Sequence, residues 1–155
     1  MKKISNILLL MLLMSCTNKT MNIKETPTLT DPVQLSITEI EKIGRIKIPS
    51  SALDVQTYAV TGWMDDLVLI RFNLPPSDLN SFLENHGFKE LKQGYWSIQN
   101  APSSVAWWPK KENYSINPMP VFSGSSLNTP GFSQNILIDM SLEDIYTIYL
   151  QCFET

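Results

Sequence analysis

The sequence predicts an α+β domain: an antiparallel sheet of four to five strands, one main helix packed on one face, and a long aromatic loop on the other. Three observations carry this expectation. Apolar residues recur with period two in several runs, and mostly tight turn-forming segments separate those runs, which places neighbouring strands antiparallel. The clearest helix signal lies at residues 77–86, where start and stop signals flank an apolar stripe. Residues 99–131 contain five prolines (102, 109, 118, 120 and 130) and many Ser and Asn, yet also Trp107, Trp108, Tyr114 and Phe122. A stretch that long is either functional or disordered, and its aromatic content argues for an ordered cover over the open sheet face.

The folded part opens at Leu35. Ser36-Ile37-Thr38-Glu39 fits a capping box, with Ser36 as N-cap and Glu39 reaching back, and Leu35 and Ile40 have staple spacing. Ile37, Ile40 and Ile43 form a short stripe that Gly44 is expected to end. Residues 45–48 alternate before Pro49. Asp54 to Thr61 and Asp66 to Leu74 read as strands around a turn at 62–65. Val68, Ile70, Phe72 and Leu74 share one face of the second strand while Leu67 and Leu69 share the other, so that strand is expected to be covered on both sides. Pro75 and Pro76 suit the first turn of the next helix, and Asp78 faces its positive end. Leu79, Phe82 and Leu83 are its core stripe. Gly87 suits the left-handed position beyond its end, with Phe88 folding back. Residues 91–98 give a weak strand signal. The chain closes with a hairpin, Phe132 to Met140 and Ile145 to Phe153, around residues 141–144.

The first sixteen residues are of another kind. Lys2 and Lys3 precede an unbroken apolar run from Ile7 to Met14, and the run ends at Leu13-Met14-Ser15-Cys16. The layout is that of a secretory signal, and the run falls short of the ~20 apolar residues that span a bilayer. Its ending resembles the lipobox of bacterial lipoproteins: an aliphatic residue, a tolerant position, a small residue, then cysteine. That resemblance implies cleavage before Cys16 and a diacylglycerol on its sulfur, three acyl chains in all, palmitate among them. A single chain binds a membrane only marginally, whereas two or three hold firmly. The resemblance also implies, from Thr17 in place of Asp after the cysteine, sorting to the outer membrane of a Gram-negative host, with the domain in the periplasm or at the surface. The organisation expected is therefore a signal over residues 1–15, a flexible lipid-anchored tether over 16–34, rich in Thr and Asn with Pro27 and Pro32, and one domain over 35–155.

Charge and cysteine content follow. The chain has 12 Lys+Arg and 15 Asp+Glu. Removing residues 1–15 takes two lysines, leaving 140 residues with 10 basic and 15 acidic side chains, a net of −5. An acidic domain gives no basic face for nucleic acid, and no attraction to anionic lipid, so the acyl group must do the anchoring. With Cys16 acylated, Cys152 is the only thiol left, and no internal disulfide can form. Its phase with Ile148 and Leu150 predicts burial.

Three further segments, Ile48-Pro49-Ser50-Ser51-Ala52, Asp66 to Phe72 leading into Pro75 to Leu83, and Ala106-Trp107-Trp108-Pro109, resemble a set of small uncharacterised bacterial proteins, many of them lipoproteins. The similarity spans about residues 45–150 and implies a recurring domain without an activity to carry over.

Candidate chemistry is sparse. His86 is the only histidine and sits at a helix end, where it is expected to meet free carbonyls and the negative dipole rather than to act in catalysis. Ser123-Gly124-Ser125-Ser126 lacks the strand–turn–helix setting of a nucleophile elbow and reads as loop. Asp65 and Asp66 could serve as paired carboxylates in an envelope hydrolase, but turn residues favour Asp for its local hydrogen bonds. One His and no Cys/His cluster give no zinc pattern, and there is no phosphate-cradling glycine loop. No catalytic residue, metal or cofactor is expected. Trp107 and Trp108, adjacent and so pointing opposite ways on extended backbone, are the best partner-contact candidates, with Tyr114 beside them. The reading is a non-enzymatic, membrane-anchored binding module engaging a protein or envelope partner. An immunity- or inhibitor-type lipoprotein is its narrower form, and a hydrolase using Asp65 and Asp66 is the rival.

Overall fold

The computed structural model describes residues 35–60, 66–114, 121–129 and 131–154, with only the backbone of 127–129. The signal, Cys16, Thr17, the tether, the 62–65 turn and Asp65 lie outside these residues.

Helix α1 (Ile37–Gly44) starts as its sequence requires. Ser36 caps the Glu39 N–H, and the Glu39 carboxylate accepts from the Ser36 N–H at 2.8 Å. The Ser36 hydroxyl also donates to that carboxylate at 2.6 Å, and this bond first, then the one from the Ser36 N–H, holds the Glu39 carboxyl below the usual carboxylate range. The helix stops differently from expectation. Arg45, not Gly44, takes the left-handed conformation (φ 49°), and Ile46 N–H bonds back to the Glu41 carbonyl. A Cβ at Gly44 would meet Ile46 at 3.4 Å and the Cys152 sulfur at 3.6 Å, ordinary contact distances, so neither backbone angle nor space demands glycine there. Residues 46–48 run on with Ile46 and Ile48 buried, and the Glu41 side chain accepts from the Ile48 N–H at 2.8 Å.

Strands β1 (Leu53–Val60) and β2 (Leu67–Leu74) pair antiparallel. Helix α2 (Pro76–His86) follows with Pro76 in its first turn. At its end Gly87 takes φ 71°, and the Phe88 N–H reaches the Leu83 carbonyl while the Gly87 N–H reaches that of Glu84. This is the expected left-handed cap, with Phe88 buried against the core.

The remaining strands are β3 (Lys92–Gln93), β4 (Val121–Thr129), β5 (Phe132–Asp139) and β6 (Tyr146–Glu154). The six described strands form one open antiparallel sheet in the order β1-β2-β6-β5-β4-β3. The count exceeds the four to five expected for two reasons. The weak 91–98 signal yields a strand of only two residues, and the 99–131 stretch is not one loop, since Val121–Thr129 is a full strand. Ser, Gly and Asn obscure that strand because its partners, not its propensities, hold it in the ladder.

Both sheet faces are covered. On one, Ile70, Phe72, Ile138, Ile148 and Leu150 pack with Ile40 of α1 and with Leu79 and Phe82 of α2. Both described helices share this face, with α2 the longer of the two. Phe82 meets Phe72 edge to face at 5.5 Å. On the other face, Leu69, Leu137, Tyr149 and Val121 pack with Ile98, Val105 and Trp108.

Sheet side chains tie these covering segments down. Gln134, fully buried on the helix face, donates to the Gly44 and Arg45 carbonyls at 2.8 and 3.0 Å, closing the end of α1. Ser126 does the same for the end of α2, donating to the His86 carbonyl at 3.0 Å. Buried carbonyls left without donors would cost free energy, so these polar residues belong to the core.

Candidate functional site

The chain leaves α2 on the helix face, rounds the sheet edge through β3, and crosses the opposite face. Each step of the crossing is bonded to the strand beneath. The Ser97 N–H donates to Ser123 Oγ, and Ser97 Oγ donates to the Ile136 carbonyl of β5. The Gln99 N–H donates to the buried Gln151 side chain of β6 at 2.8 Å. Two successive turns follow, closed by Val105 N–H to Pro102 and Trp108 N–H to Val105. A 3-10 turn at Lys111–Asn113 ends the described loop at Tyr114.

The tryptophan pair thus lies on a turn, not on extended backbone as expected, and its members differ in depth. Trp108 is 5% exposed, donates its Nε1 hydrogen to the Gln99 carbonyl at 2.9 Å, and meets Tyr149 edge to face. Trp107 is partly exposed, with its ring 5.7 Å from that of Trp108. Trp108 therefore anchors the loop and offers little to a partner. Beside it a cavity of about 390 Å³ is lined by Ala101, Pro102, Val105, Trp108, Lys110 and Glu112, among others.

Tyr114 is also held. Its hydroxyl donates to Asp139 at 2.9 Å, and its ring lies 5.5 Å from that of Trp96. Burial first, then the neighbouring Tyr149 and Asp139, push its pKa far above the ordinary value, so it stays protonated. Trp96, which the sequence reading did not single out, completes this aromatic layer. Its neighbourhood with Tyr114 spans eighteen residues of sequence and had no local signal.

The other candidates resolve separately. His86 is half-buried, stacks obliquely on Phe82 at 4.9 Å, and its Nε2 lies 3.2 Å from the Lys47 carbonyl. Burial lowers its pKa, opposed by that hydrogen bond, so the ring is largely neutral at pH 7. It serves helix packing by its shape and its donor, not as the cation expected at the dipole end.

Ser123, Gly124, Ser125 and Ser126 lie in β4, not in a loop. Ser123 Oγ donates to the Tyr95 carbonyl and Ser125 Oγ to Asn135. Asp66 borders a shallow depression of about 350 Å³ with Glu39, Lys42, Arg45 and Glu154, away from His86 and the serines. Cys152 is buried and free, its thiol pushed up to about 12 by burial. Among the described residues no group of three or more His, Cys, Asp or Glu could hold a metal ion, and no helix is long and apolar enough to cross a membrane.

No family model matches this chain, and neither a curated protein nor a solved structure does.

Proposed function

We propose that this chain is a lipid-anchored binding module of the cell envelope, tethered through acylated Cys16 and engaging a protein or envelope partner through its aromatic loop. The sequence Leu13-Met14-Ser15-Cys16 behind a basic, apolar start supports the anchor. The binding half of the reading rests on one observation: Trp108 is locked in the core while its neighbour Trp107 stands partly exposed on the same braced turn. An aromatic side chain already held in position loses little freedom on binding, which is the setting in which such residues dominate an interface.

The anchor is tested by fractionation and by mass spectrometry of the mature amino terminus. Cys16→Ser should move the protein out of the membrane fraction, and a variant that stays there rejects the anchor. The contact is tested by crosslinking in intact envelopes. Trp107→Ala should keep the wild-type melting temperature and lose about 2 kcal/mol of binding, roughly thirtyfold in affinity. Unchanged capture would place the contact elsewhere.

A further inference from the structure

Past its short pairing with β3, β4 has a lateral edge of its own. Between it and the end of α2 lies an open groove of about 610 Å³, with Ser125 and Ser126 on its floor and Glu84, His86, Lys89 and Glu90 on its wall. The groove exists because β3 is short. It pairs with β4 only at Lys92↔Ser123 and Gln93↔Phe122. Residues just before it do not extend that ladder: the Glu90 carbonyl lies over the face of Gly124, 2.9 Å from where a Cβ would stand. Glu90 therefore sits over Gly124 and out of register with Ser125, and among the described residues the strand's lateral edge stays open past Ser123.

The register shows which groups this edge presents. The Val121 carbonyl accepts from the Gly94 N–H, so the polar groups of Val121 point towards β3. Along an antiparallel strand that direction alternates, so Ser123 and Ser125 point the same way. Ser123 meets β3, whereas Ser125, exposed and two residues further on, directs its N–H and C=O into the groove. The wall carries the Glu84 and Glu90 carboxylates and the negative end of α2 against one lysine, Lys89.

We propose that this groove is a strand-addition site for an extended basic segment of a partner protein. The segment pairs antiparallel with β4 at Ser125, in the place that residues 88–91 leave empty, and sets a lysine or arginine against Glu84 and Glu90. Main-chain bonds supply affinity and the carboxylates supply selectivity. The site is independent of the Trp107 contact and of the anchor.

The test uses the isotope-labelled mature full chain in detergent micelles, titrated with a short synthetic peptide alternating lysine and threonine and with its glutamate counterpart. The lysine peptide should shift the Ser125 amide resonance, slow its hydrogen exchange, and bind several-fold more tightly than the glutamate peptide. Ser125→Pro removes the outward N–H and the Ser125–Asn135 side-chain bond but no main-chain bond of the β4–β5 ladder, so it should stay folded and bind neither peptide. Should that variant fail to fold, the double substitution Glu84→Lys, Glu90→Lys decides, since it should invert the preference. Perturbations that map elsewhere, or equal binding of both peptides, overturn the proposal. So does a Ser125 amide already protected in the free chain, whether protection grows with protein concentration (a second copy) or disappears on deleting residues 17–34 (the chain's own tether).

Discussion

At the scale of single residues, burial decides what the two most reactive side chains can do. His86 has a pKa below its ordinary 6.5 because desolvation outweighs its bond to Lys47. Between its lowered folded value and 6.5 the unfolded chain binds more protons than the folded one. Its contribution to stability is therefore complete above 6.5 and is lost as pH falls through that value towards the folded pKa. Denaturant midpoints should decline across this window in the wild type and not in His86→Gln, which retains an amide donor. A wild type and variant with parallel profiles would reject the burial of the ring. Asp78, lowered chiefly by the Ser51 hydroxyl and then by Ser77, and Glu39, lowered by Ser36, lose their contributions in the same direction at more acidic pH. Cys152 shows the complementary case. A thiol raised to about 12 has almost no thiolate at neutral pH, so maleimide should label it only after denaturation. Labelling of the native protein at the rate of a surface cysteine would contradict the buried β6 position.

At the scale of elements, local and distant signals part company. The capping box of α1 and the left-handed cap of α2 were legible because their bonds join residues at most five apart in sequence. Strand β4 was not, because its hydroxyls and its glycine look like loop chemistry until the neighbours are known. Ser123 and Ser126 satisfy carbonyls some thirty to forty residues away, and Gly124 makes room for the Glu90 backbone. Gly124→Ala should therefore destabilise by about 1–3 kcal/mol, the usual cost of forcing a methyl into packed backbone. Chemical denaturation measures this, and a neutral Gly124→Ala would mean that Glu90 does not cross above β4. Gly94 is the control: it has φ 69° but nothing within 4 Å of a Cβ, so its alanine variant meets backbone strain alone.

At the scale of the molecule, the two cores share their strands and should unfold as one unit. Alternate residues of the same strands serve both faces: Ile70 and Leu69 in β2, Ile138 and Leu137 in β5, Leu150 and Tyr149 in β6. Loosening either cover must disturb strands that the other also needs. Phe82→Ala on the helix face and Trp108→Ala on the loop face should each cost about 3–5 kcal/mol and leave a single unfolding transition. A biphasic melt of either variant would show that the loop face unfolds by itself.

What lay open to reading in the chain was set by short range. Period-two alternation marked β1, β2, β5 and β6, and it correctly assigned Val68 and Ile70 to one face of β2 and Leu69 to the other. Turn and cap chemistry bounded α2 to within a residue. Polar groups that work across long separations were not open to such reading: Gln134 closing α1, Gln151 holding the crossing loop, Ser126 closing α2. The same holds for the division of labour between the tryptophans. Adjacent residues with identical side chains carry no sequence cue to which is buried. The path of residues 95–108 over β4, β5 and β6 makes that choice, because it delivers the Trp108 ring to Tyr149 and its Nε1 to the Gln99 carbonyl.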